Sequence, residues 1–334
     1  MAGILETLGS AITPDAIGQI GKAIGADPSQ VTKGLGAAGP AVLGSLTEQA
    51  SAPGGLDSIM GMLSSAGSAS GGSPDDMIGS LLGALTGGGN QNDMLNNVLG
   101  GGVNAVSGTL SKSLGFDVKP LLTMAIPLIM GMITKTAKEK NLDAAGVQSL
   151  LKTETQTYMD NPANKETVEM VQGALKAGKE SEAIRKSFDE GEWTKVRMAP
   201  VAAMYLVATA SKSGAVGSAQ ELEAAVNTVK TALADVSPAS FLNTAFGGGL
   251  TKSEVDLLKK DEPPVDTILG AIKDGVAAVS AKNPAEAAAY KKLILDVANN
   301  TANAAKEGGF LGIGGKQVSK EEAAAISAIT AAIG

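Results

Sequence analysis

The sequence predicts an all-α protein built as two helical domains. Three observations carry this. First, capping side chains stand before prolines again and again: Thr13-Pro14-Asp15, Asp27-Pro28, Ser73-Pro74-Asp75, Asn161-Pro162, Ser237-Pro238 and Asn283-Pro284. Each places an oxygen acceptor ahead of a residue that suits the first helical turn. Second, apolar residues recur with helical period. Leu222, Val226, Val229 and Leu233 form one stripe and Ile268, Ile272, Val276 and Val279 another. Tyr290, Leu293, Val297, Thr301 and Ala305 form a third, and Ile326, Ile329 and Ile333 a fourth. Third, no run alternates with period two long enough to make a strand.

The N-terminal domain, residues 1–150, contains an internal duplication. Gly25 and Asp27 recur as Gly115 and Asp117. Pro40 and Gly44 recur with the same mutual spacing as Pro127 and Gly131, and Gly55-Leu56 recurs as Gly146-Val147. Gly- and Ser-rich segments, Ser64 to Ser73 and Gly87 to Asn92, read as loops between the copies. A charged stretch over residues 151–197 holds the single Trp, Trp193, and reads as a partly helical connector through Val168, Val171 and Leu175. The second domain covers residues 198–334. Capping boxes are expected at Ser218 to Glu221, Thr251 to Glu254 and Ser319 to Glu322.

Composition bounds the chemistry. Aromatic residues are 3% of the chain, against 43 glycines, and Phe116 is the only aromatic before Tyr158. The N-terminal half must therefore pack with Ala, Gly, Leu, Ile and Met, each contact burying little area. The formal net charge is -7, which argues against nucleic acid or anionic lipid as a partner. The basic cluster Lys135, Lys138 and Lys140 reads as a solvated helix end. With no Cys there are no disulfides or thiolate sites, and with no His the usual Ser-His and metal-His mechanisms are removed. No signal peptide is readable at the N-terminus, so a cytoplasmic location is expected. The most apolar run, Pro120 to Thr134, is shorter than the roughly 20 residues of a membrane span. It reads as a buried helix bent at Pro127, with Ile126, Ile129 and Ile133 facing the core.

Candidate chemistry is sparse. The run from Gly308 to Lys316 resembles a phosphate loop only loosely. Phe310 stands where the first glycine is needed, and Gln317 cannot replace the hydroxyl that holds magnesium. The carboxylate groups Asp75-Asp76, Asp189-Glu190-Glu192 and Asp261-Glu262 lack calcium-loop spacing and read as solvated helix starts. Met124, Met130 and Met132 read as core filler, with a binding groove as the other option. No catalytic, cofactor-binding or metal-binding residue is assigned, and no cofactor is expected.

Two resemblances follow. Residues 12–150 resemble the YidB-like family, a bacterial domain of unknown function. The residues that carry it are Ile12 to Ile17, the Asp27-Pro28 cap, Gly39 to Gly44 with Pro40, and Leu122 to Met132 with Pro127. The resemblance implies a small helical fold and no known activity. Residues 198–334 resemble more distantly the TerB-like helical domains of tellurite resistance. Here Ser213-Gly214-Ala215-Val216 leads to Glu221, and Gly315-Lys316-Gln317-Val318-Ser319 leads to Glu322. Ser213 stands where that family has Asp, so no metal site is carried over.

These readings lead to an expectation of a non-enzymatic structural or scaffolding protein, a homo-oligomer or filament that works through self-association or a protein partner. The rivals are a stress-response protein that binds a small ligand or divalent metal, and a peripheral membrane-surface protein.

Overall fold

The computed structural model describes residues 3–69, 91–210, 214–250, 254, 256, 263–304 and 318–334. The described residues are mostly helical, with no strand among them. They divide into two compact units, residues 1–180 and 181–334.

Unit 1 holds α1 (Ile4–Ala11), α2 (Pro14–Ile24), α3 (Pro28–Ser51), α4 (Gly55–Ala69), α5 (Gln91–Leu99), α6 (Val103–Leu114), α7 (Lys119–Glu139), α8 (Ala144–Asp160) and the first part of α9 (Lys165–Lys186). Its centre is the pair α3 and α7. The arrangement around them is reciprocal: α4 packs on α7, α8 packs on α3, and α1 and α5 each touch both central helices.

The local reasons are visible in the sequence. α2 and α6 both end in a left-handed glycine, Gly25 at φ 71° and Gly115 at φ 79°, the conformation that only glycine adopts without strain. Two residues later Asp27 Oδ1 accepts from the Gln30 amide at 2.9 Å, and Asp117 Oδ1 accepts from the Lys119 amide at 2.9 Å. Both central helices then carry an internal proline, Pro40 and Pro127. Glycines let them pack closely. A methyl group at Gly34 would overlap Leu121 and Phe116, one at Gly39 would press on Leu5 and Leu8, and one at Gly44 would press on Leu175. The small-residue faces are thus consumed inside the unit.

Unit 2 holds the rest of α9, then α10 (Glu190–Ala210), α11 (Gly214–Ala234), α12 (Phe241–Phe246), α13 (Val265–Lys282), α14 (Ala287–Ala304) and α15 (Lys320–Ile333). α10 is its axis and touches each of the other five. Aromatic rings concentrate here. Phe188 lies 5.5 Å from Trp193 and 5.8 Å from Phe241, and Phe241 meets Tyr290 edge-on at 5.6 Å. Arg197 clamps the far side: its guanidinium donates to both Glu254 oxygens, at 2.7 and 3.0 Å, and to the carbonyls of Ala245 and Gly249.

The stretch 151–197 divides its residues between two cores. Leu151, Val171, Ala174 and Leu175 are buried in unit 1, while Phe188 and Val196 are buried in unit 2. The split falls within α9, because the apolar face of that helix serves unit 1 in its first half only.

Several helix boundaries differ from the sequence reading. Thr13, Asp27 and Ser319 cap as expected, each accepting from a backbone amide. Ser237-Pro238 forms a turn instead, and Ser240 caps the helix that follows by accepting from the Asn243 amide at 3.1 Å. Asn161 and Asn283 precede short 3₁₀ turns, and the Asn283 side chain makes no cap bond. Residue 218 lies within α11, which starts a turn earlier at Gly214, since Ala215 and Val216 tolerate helical geometry. Ser64 to Ala69 continue α4, and Gln91 and Asn92 open α5, although Gly and Ser enrichment suggested loops. Ser73-Pro74-Asp75, Thr251 and the rest of the Gly/Ser segments lie outside the described residues.

Candidate functional site

Several sequence candidates have structural roles. Asp189 and Glu192 form a reciprocal capping box at the start of α10, with bonds of 2.8 and 3.0 Å. Glu190 pairs with Arg185, and Lys282 lies 3.7 Å from Glu192. Met124 and Met130 are buried in the unit 1 core, while Met132 is half-buried against it. Ile126, Ile129 and Ile133 are buried, as the Pro127 reading expects. The helix around that run, α7, reaches 21 residues with a mean hydropathy of 1.4 over its most apolar window. Polar residues at both ends lengthen it beyond the apolar run, so it is long and apolar enough to cross a membrane. Here 61% of that window is buried within the protein.

Glu221 and Glu322 are both buried, and Glu322 closes the capping box with Ser319. Among the described residues, no group of three or more acidic side chains is placed to hold a metal ion. The glycine run 308–316, Ser213, Asp75-Asp76 and Asp261-Glu262 lie outside the described residues.

The structure adds a feature that the sequence reading missed. An open groove of about 610 Å³ runs between α11 and α14 in unit 2. Its floor is apolar and includes Ala232, Leu242 and Leu293. Its walls are two polar stripes, each at i, i+4, i+8 spacing: Asn227 and Thr231 on α11 with Asp235 just past its C-terminal end, and Lys292, Asp296 and Asn300 on α14. That spacing puts each trio on one helix face. The signal was present in the sequence, beside the apolar stripes, but which polar face meets another is a tertiary fact.

The groove is braced at one point. Asn300 Nδ2 donates to Thr228 Oγ1 at 2.9 Å, and the Thr228 hydroxyl donates to the Ala224 carbonyl at 2.7 Å. Lys292 donates to Asp296 one turn along its own helix. Asp235 is exposed and makes no ion pair among the described residues. The groove therefore offers an accessible carboxylate above an apolar floor. Its ionisable side chains are Asp235, Lys292 and Asp296.

Among the described residues, Tyr290, Tyr158 and Lys195 have shifted acidities, and each has a structural cause. Burial raises the phenol of Tyr290, and burial also raises that of Tyr158, against a lowering hydrogen bond to Thr167. The hydrogen bond to Asp274 raises Lys195, at 2.9 Å on the surface. None of the three lines the groove.

Residues 6–136 match the family described as bacterial protein of unknown function (DUF937). This segment is a DUF937 domain. The match runs from α1 through most of α7, so it takes in both central helices with Pro40 and Pro127. YidB is itself a DUF937 protein, consistent with the YidB-like resemblance. The TerB-like resemblance of residues 198–334 gains no support. No curated protein and no solved structure matches the chain.

Proposed function

We propose that the protein is a non-enzymatic cytoplasmic scaffold that works through its surfaces, first of all by binding copies of itself. The observation that carries this reading is the groove of unit 2. It is an open cleft with a polar rim, a shape that suits an inserted protein segment better than an enclosed substrate. Supporting it, the shifted groups Tyr290, Tyr158 and Lys195 all lie outside the groove, whereas catalytic groups are tuned within a cleft.

The structure changes the expected character of the contact. Gly/Ala-rich helix faces of the N-terminal half would suit close packing between copies, but Gly34, Gly39 and Gly44 are spent on intramolecular packing. Val265, at 54% exposure, is the large hydrophobic side chain that stands out to solvent among the described residues. Self-association would therefore rest on polar and charged surface. Size-exclusion chromatography with light scattering tests it. Masses at multiples of 33.2 kDa that rise with concentration are expected. A 33.2 kDa species at every concentration would overturn it.

A further inference from the structure

The groove has a counterpart on the other unit. α7 ends in a turn that carries Lys138 and Lys140, both exposed. The turn is held in one shape: the Leu142 amide donates to the Ala137 carbonyl at 2.8 Å, and Asn141 sits at φ 50°. This is the wrapped helix end in which a left-handed residue reverses the chain. Lys135 is the third lysine of the cluster and lies 3.9 Å from Glu139, while Lys138 and Lys140 have no ion pair among the described residues. The result is a fixed, exposed knob with two cationic side chains.

Resting on the self-association reading, we infer that this knob of one copy docks into the α11–α14 groove of a second copy. Three observations favour it. The charges complement, since Asp235 is an accessible rim carboxylate, beside the internally paired Lys292 and Asp296. The chemistry of a lysine fits, because its alkyl stem can lie on Leu242 and Leu293 while the ammonium reaches a rim carboxylate. The knob is pre-organised, so little conformational freedom is lost on docking. Asn227 and Thr231 are left to hydrogen-bond the backbone of the incoming turn.

Knob and groove are different surfaces, so the contact is heterologous. Such contacts build rings when the rotation closes and filaments when it does not.

A charge exchange tests the inference. Lys138→Glu with Lys140→Glu reverses the knob, and Asp235→Lys reverses the groove. All three positions are exposed, and circular dichroism melts should confirm that both variants fold like the parent. By light scattering each variant alone should lose association by about tenfold or more, as truncation or reversal of steering charges does. Mixed together they should assemble again, because each then supplies the surface the other lacks. Association of the parent should also weaken as salt shortens the screening length from about 10 Å at 0.1 M to about 3 Å at 1 M. If the parent assembles and both variants assemble equally well, the groove assignment falls while self-association stands. If the parent remains at 33.2 kDa, both fall.

Discussion

The phenolic hydroxyl of Tyr290 on α14 donates to the backbone carbonyl of Val196 on α10 at 2.6 Å. Val196 lies four residues before Pro200, which sits inside α10 and has no N–H to offer that carbonyl. The tyrosine thus supplies the donor that the proline removed. Unit 1 repeats the arrangement. Pro40 inside α3 deprives the Gly36 carbonyl, and the Tyr158 hydroxyl on α8 approaches it at 3.3 Å. A proline-bearing central helix is tolerated in each unit because a neighbouring helix brings a tyrosine to the freed acceptor.

Removing the Tyr290 hydroxyl should therefore cost more than an ordinary hydrogen bond. Tyr290→Phe strands a buried acceptor, which typically costs about 1–3 kcal/mol. Restoring a backbone donor with Pro200→Ala should reduce that cost, so a double-mutant cycle in urea should show positive coupling. Tyr158→Phe should cost less, because its bond is longer and partly solvated. Equal costs for Tyr290→Phe with and without Pro200 would show that the hydroxyl acts independently of the proline.

The same phenol makes the protein sensitive to alkali. Burial raises the folded-state pKa of Tyr290 above the unfolded value of about 10. Above that pH the unfolded chain releases the proton and the folded chain keeps it, so stability falls as pH rises. Below about pH 10 the contribution is fully present. Denaturant midpoints measured from neutral to strongly alkaline pH should fall less steeply for Tyr290→Phe than for the parent. Parallel curves would mean that the phenol is not the titrating group.

Much of the fold was legible because helix punctuation is local. Thr13-Pro14, Asp27-Pro28 and Ser319 to Glu322 announced their caps, and the stripe Ile268, Ile272, Val276 and Val279 is buried along its whole length. Gly25 and Gly115 each end a helix in the left-handed conformation, and Pro40 and Pro127 each lie inside the helix that follows. What failed depended on context. Ser237-Pro238 and Ser240 compete for the same helix start, and Phe241 decides it by burying in the aromatic cluster. Leu222, Val226 and Leu233 read as a core stripe but are only half-buried, because α11 turns Ala225, Thr228 and Val229 inward instead. The groove was illegible for the same reason: its two polar stripes gain meaning only when α11 and α14 are side by side.

The close approach of α6 and α9 gives a packing prediction. Gly102, just before α6, lies against Gly178 of α9, and a methyl at Gly102 would collide with the Gly178 backbone. Backbone atoms cannot rotate aside, so the helices must separate. Gly102→Ala should destabilise unit 1 by about 1–3 kcal/mol through overpacking. Hydrogen exchange should report the loss as weaker protection around Gly178. A neutral effect would show that α9 shifts freely on unit 1.

The final prediction concerns α7, the helix with the length and hydropathy of a membrane span. Its two possible destinies make opposite demands on Ile129. In the protein interior this side chain, on one of the two central helices, is fully buried in the core of unit 1. An aspartate there would place a carboxylate among Leu, Ile and Met with no cation at hand. Ile129→Asp should then cost about 3 kcal/mol or more, from lost burial and from a charge without a partner. Because the carboxylate is tolerated only when neutral, the variant should regain stability as the pH falls toward the ordinary carboxylate range. Thermal melts of parent and variant at neutral and mildly acidic pH measure both effects. No loss at neutral pH would place Ile129 outside the core of unit 1 and reopen a membrane role for α7.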